Sequence, residues 1–194
     1  MTGDEIAKIA REFYSKTTCY LKGAWGQKLT NAEYKRLCNL YSSNTKYGNE
    51  KYVGTNVYPF DCICFVKAIT SGATPDNRIT YTQLKNGILG DCTNQYFYDC
   101  LYDCVYDPEE MLAGMGVAST KHAGIVLGEN CWIDCNFTGT NKQDGLAIHY
   151  SNPMASGYKV GKIPKVVYED SPVVKDDVQD FLQFLYEQWK GNKK

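Results

Sequence analysis

After Asp107-Pro108 the chain changes its hydrophobic period, and that change limits the possible folds more than any other feature. Downstream lie five strand-length apolar segments, at residues 111–117, 123–127, 131–135, 146–150 and 160–167, bounded by Gly, Asn, Asp and Ser. Glu129-Asn130 is short enough to join two of them in a hairpin. Upstream the period is helical. Thr2 and Glu5 form a capping box ahead of the stripe Ile6, Ile9, Ala10 and Phe13. Residues 29–40 give a second short helix, and a third opens at Asp61 or Cys62, runs through Phe65, Val66 and Ile69 and stops at Gly72. Helices first and an antiparallel sheet second is an α+β layout.

Between these elements the reading is plainer. Residues 42–59 are polar and rich in Gly and Asn, which reads as a surface excursion, and residues 71–91 read as irregular. Residues 96–106 read as helical, ambiguously, because Tyr and Cys dominate them. Ser171 as cap and Pro172 at the first helical position start a final helix, with Val178, Phe181, Leu182, Leu185 and Trp189 on its apolar stripe. The expected organisation is a domain over residues 1–170 followed by an amphipathic helix over 171–194. At 194 residues, one compact core is the expected unit.

Composition excludes several function classes. With 21 basic and 22 acidic residues the net charge is −1, so no global field draws in nucleic acid. No run approaches the roughly 18 apolar residues of a membrane span. Nine cysteines cannot all pair, and the charged start of the chain does not read as a secretory leader, so the expectation is a reducing cytoplasm with most thiols free. Cys100 and Cys104 are four apart, as are Cys131 and Cys135, with Cys92 nearby. The bulky residues between them disfavour zinc ligation, and neither metal nor cofactor is expected.

The chemistry-bearing residues fall at element starts. Phe60-Asp61-Cys62 puts a thiol at the mouth of the third helix, where unpaired backbone N–H groups favour a thiolate and can bind an oxyanion. Cys64, two residues on, points about 200° away and cannot face the same cleft. Asp61 reads as the helix cap. His122 leads the strand Ala123-Gly124-Ile125-Val126, and Asp134 lies twelve positions on (134 − 122), where a hairpin brings the two side chains to one face. The expected triad is therefore Cys62 as nucleophile, His122 as base and Asp134 as the orienting carboxylate. His149, on a later strand with no acid at a comparable offset, reads as a surface or supporting residue, and Trp25 and Trp132 as packing.

Taken together, Tyr20-Leu21-Lys22-Gly23, Phe60-Asp61-Cys62, the strand from His122 to Gly128, and Asp134 resemble the NlpC/P60 family of papain-like cell-wall peptidases over residues 6–167. The closing Gly161-Lys162-Ile163-Pro164 resembles phage-borne members. The chain departs from the family at Ile63-Cys64, where Ser-Gly is usual, at the third triad position, which is aspartate where histidine is common, and between Gly26 and Pro59, which looks like an insertion. The resemblance implies N-terminal helices packed on an antiparallel sheet, with a Tyr20 hydroxyl assisting the oxyanion. It also implies hydrolysis of an amide in the peptidoglycan stem peptide, typically γ-D-glutamyl to a diamino acid, by a phage-encoded enzyme made in the bacterial cytoplasm and delivered to the wall. The alternatives are an N-acetylmuramoyl-L-alanine amidase, an injected effector or acyltransferase, and a non-catalytic wall-binding module.

Overall fold

The computed structural model describes residues 1–137 and 144–169. The described residues form an α+β architecture of five α-helices, a six-stranded antiparallel sheet and a two-stranded parallel sheet. The helices are α1 (Gly3–Tyr14), α2 (Asn31–Leu40), α3 (Cys62–Thr70), α4 (Tyr81–Asn86) and α5 (Asn94–Cys100). The strands are β1 (Thr18–Tyr20), β2 (Tyr58–Phe60), β3 (Tyr102–Val105), β4 (Gly116–Ala118), β5 (Ala123–Gly128), β6 (Cys131–Asn136), β7 (Gly145–His149) and β8 (Lys159–Lys162). The large sheet runs β3-β8-β4-β5-β6-β7, and β1 pairs with β2. No helix of the described residues is long and apolar enough to cross a membrane.

The expected capping box starts α1: the Glu5 N–H donates to Thr2 Oγ1 at 3.2 Å, and the Thr2 N–H donates to Glu5 Oε2 at 2.7 Å. The apolar face, Ile6, Ala7, Ala10 and Phe13, is buried. In α3 all nine residues are buried, so the helix is enclosed rather than amphipathic. Its one charge, Lys67, is held by Asp91 at 3.0 Å.

Strand register sorts the sheet into two faces. Ala123, Ile125, Leu127, Ile133 and Cys135 join α1 and α3 in the main core. Val117, Val126, Trp132 and Val160 face the other way and are covered by Met111 and Met115. Because side chains alternate along a strand, Gly124 and its cross-strand partner Asp134 belong to this second face. His122, two residues before Gly124, takes the same parity.

Several expected elements are shorter or of another kind. The strand expected at 111–117 is reduced to β4, because Gly114 (φ +78°) turns the chain and its Cα packs directly against the Gly3 backbone. The strand expected at 160–167 ends at Lys162, since Pro164 follows and Lys165 takes φ +65°. Residues 96–106 divide at Leu101 into α5 and β3, the strand recruited by pairing with β8. Within 71–91 a second capping box, Thr80 with Gln83, starts α4. The excursion at 42–59 is anchored rather than loose. Asn44 and Asn49 are buried; Asn44 binds the Lys22 backbone and the Leu37 carbonyl, and Asn49 donates to the Tyr20 carbonyl at 2.5 Å. The helix expected from Ser171 lies outside the described residues.

Candidate active site

The nucleophile candidate is fixed by its helix. Asp61 caps α3, its Oδ1 accepting from the Cys64 N–H and its Oδ2 from the Gly23 N–H, each at 2.7 Å. Burial raises the Asp61 carboxyl, and these two bonds oppose the rise. Cys62 thereby becomes the first helical residue, in the turn whose N–H groups have no intrahelical acceptor. Its neighbour Cys64 lies on another side of α3 in a cleft of about 430 Å³ with Gly23, Trp25, Lys67 and Tyr81. Burial and then the charge of Asp61 push the Cys64 thiol well up. The two thiols therefore stand in different surroundings, as their spacing requires.

The imidazole is fixed by a hairpin. Ser119 and His122 exchange backbone hydrogen bonds across the turn between β4 and β5, which sets His122 beside β6. Its Nε2 lies 2.6 Å from Asp134 Oδ2. Opposite Asp134 stands Gly124, where a Cβ would lie 2.6 Å from the Ile133 carbonyl and 3.0 Å from the Trp132 ring. With Nε2 committed to the carboxylate, Nδ1 is the nitrogen left for the Cys62 thiol. Burial opposes charge on His122, but the bond to Asp134 and the neighbouring Cys62 outweigh it and hold the ring up to about 10. Burial likewise opposes the Asp134 charge, and the two histidines more than offset it, lowering that carboxyl.

Tyr20 reaches the site through the parallel pairing of β1 with β2, in which it sits opposite Phe60. Its ring packs on Tyr47 at 5.3 Å, and burial followed by the charges of Cys62 and Asp61 pushes its phenol above the ordinary range. Tyr20 thus stays a neutral donor within electrostatic reach of the sulfur.

Two participants were not legible beforehand. Asn94, the first residue of α5, places its side-chain amide 3.7 Å from the Cys62 sulfur while donating to the Lys121 carbonyl at 2.9 Å. It is 32 residues from Cys62, so no local spacing marks it. His149 belongs to the same acid as His122: its Nε2 lies 3.1 Å from Asp134 Oδ1. No acid lies at a comparable offset along the chain; the acid comes from the neighbouring strand. Trp132 is buried and stacks on the His149 ring at 4.2 Å, whereas Trp25 packs on Tyr81 at 5.2 Å.

All nine cysteines are free thiols. Among the described residues no group of three or more His, Cys, Asp or Glu is arranged to hold a metal. Comparison with protein-family models, with curated proteins and with solved structures returns no match for this chain. What the geometry itself offers is a helix-mouth thiol, an imidazole oriented by a buried carboxylate, and an amide donor beside the sulfur.

Proposed function

We propose that the protein is a thiol amidohydrolase with a papain-like NlpC/P60 fold, which cuts an amide bond in the stem peptide of peptidoglycan. The supporting observation is the pairing of His122 with Asp134, 2.6 Å between the imidazole and a carboxylate that is 2% exposed, with Cys62 among the groups that raise the ring. The peptidoglycan substrate rests on the motif resemblance.

In the proposed reaction the proton already rests on His122, so Cys62 and the imidazolium form an ion pair, and the thiolate attacks the amide carbonyl carbon. The oxyanion of the tetrahedral intermediate is met by the Cys62 N–H and the Tyr20 hydroxyl. Collapse breaks the C–N bond, with His122 passing its proton to the departing amine, and leaves a thioester on Cys62. A water molecule, deprotonated by His122, attacks the thioester; the carboxylic acid leaves and the thiol is restored. Asp134 stays ionised throughout, holding the ring and balancing the imidazolium. The α3 N-terminus adds partial positive charge at the sulfur.

Mass spectrometry of products from purified peptidoglycan tests the reading. A new amino group on the diamino acid identifies the endopeptidase expected here. A new amine on L-alanine identifies instead the muramoyl amidase, and transfer to an added amine without a hydrolysed product identifies an acyltransferase. Intact peptidoglycan overturns the hydrolase reading and leaves a binding module.

A further inference from the structure

The Asp134 carboxylate stands between two imidazoles. Its Oδ2 faces His122 at 2.6 Å and its Oδ1 faces His149 at 3.1 Å, in ion-pair range but off the line of a straight hydrogen bond. Among the described residues neither Asp134 Oδ1 nor His149 Nε2 has another hydrogen-bonding partner, and both atoms are buried. A buried carboxylate oxygen without a donor carries a desolvation penalty of about 1–3 kcal/mol or more. His149 is the donor within reach of Oδ1.

The ring of His149 is held for this position. It pairs with Trp132 across β6 and β7, and the two rings stack 4.2 Å apart at 21°. Trp132 meets Tyr158 at 5.2 Å, and Tyr158 in turn meets His122 at 6.1 Å, so a run of aromatic contacts joins the two imidazoles. Trp132, Asp134 and His149 share one face of the sheet, because Trp132 pairs with His149 and Asp134 with Ala147. A carboxyl group turns about its Cβ–Cγ bond at little cost unless both oxygens are engaged.

We propose that His149 is a positioning residue that holds Oδ1 of Asp134 so that Oδ2 stays aimed at His122, making the site a Cys-His-Asp-His chain rather than a triad. Its effect on rate rests on the hydrolase reading above; its effect on the carboxylate does not. The lowering of the Asp134 carboxyl by both histidines accords with it. The titratable groups around Asp134 are His122 on the β4–β5 hairpin, His149 on β7, Cys135 on β6, Cys62 on α3 and Tyr158 before β8.

The chain has only 2 histidines, so ring ¹⁵N NMR resolves both. Asp134→Asn should shift the Nε2 resonances of His122 and His149 together. His149→Phe keeps a ring to stack on Trp132 but has no donor. It should move the His122 midpoint by at least about half a unit and lower kcat by about tenfold, the scale of a lost supporting hydrogen bond. His149→Gln, which keeps an N–H, should restore part of both, and serves alone if the Phe variant does not fold. His149 resonances indifferent to Asp134→Asn, or a His122 midpoint unmoved in both His149 variants, overturn the proposal. Coupled resonances in a protein that hydrolyses no peptidoglycan uphold the contact and overturn the hydrolase reading instead.

Discussion

Asn94 and Cys62 come from the first turns of two different helices, yet the Asn94 amide lies 3.7 Å from the Cys62 sulfur. One of its two N–H groups donates to the Lys121 carbonyl, next to the imidazole, and the other is free to meet the sulfur. Asn94 therefore ties helix mouth and hairpin tip into one unit.

Replacing it should be felt in rate more than in stability. A hydrogen bond to a charged group contributes about 1.5–3 kcal/mol, so Asn94→Ala should lower kcat/KM by roughly ten- to a hundredfold. Asn94→Asp should lower it further, because a carboxylate repels the thiolate. Steady-state kinetics with thermal melts checks this, and unchanged kcat/KM in Asn94→Ala contradicts the role.

The pair His122–Asp134 should write itself into the pH dependence of stability. His122 is held above its unfolded value, so its contribution is complete below about pH 6.5 and is lost as pH rises to about 10. Asp134→Asn should therefore lower Tm most near pH 6 to 7, with the gap to wild type closing toward pH 10. Melts across that range decide it, and a gap independent of pH contradicts the coupling. Hydrolysis should fall by about 10²–10⁴-fold in His122→Ala and by less in Asp134→Asn.

Labelling with iodoacetamide at about pH 6 should begin at Cys62. Burial pushes Cys19 up to about 12 and Cys92 up to about 11, and raises Cys64, Cys100, Cys131 and Cys135. Thiolate is the reacting form, so those six should lag. Peptide mapping after brief exposure reads the order, and labelling that starts at any of them contradicts the assignment.

Phe60 carries the approach to the site. Its ring is fully buried between Phe13 at 5.2 Å and Phe65 at 5.3 Å, and it lies against Gly26, whose φ is +86°. Phe60→Ala should cost about 3–5 kcal/mol and lower Tm by about 10 °C. A loss within two or three degrees would show that the surrounding rings close over the cavity.

What could be read in the sequence was local or periodic. The α1 capping box, the Asp61 cap that leaves Cys62 at the helix mouth, and the β5–β6 hairpin that sets His122 against Asp134 all depend on neighbours within about a dozen residues. What was missed depends on distant pairing. β1 and β2 are three residues each and some forty positions apart, so their pairing, which carries Tyr20 to the site, has no periodic signature. Leu101 divides helix from strand only because β8 supplies a partner for β3. His149 acquires an acid from the adjacent strand, and Asn94 a sulfur from another helix.

The most direct measurement compares Cys62→Ala with Cys64→Ala for hydrolysis of purified cell walls, with thermal melts on the same preparations. Cys62→Ala should fold and release no new amino groups, while Cys64→Ala, whose thiol lies on another side of the helix, should keep most of the wild-type rate. A folded Cys62→Ala protein that still cuts the wall would contradict Cys62 as the nucleophile.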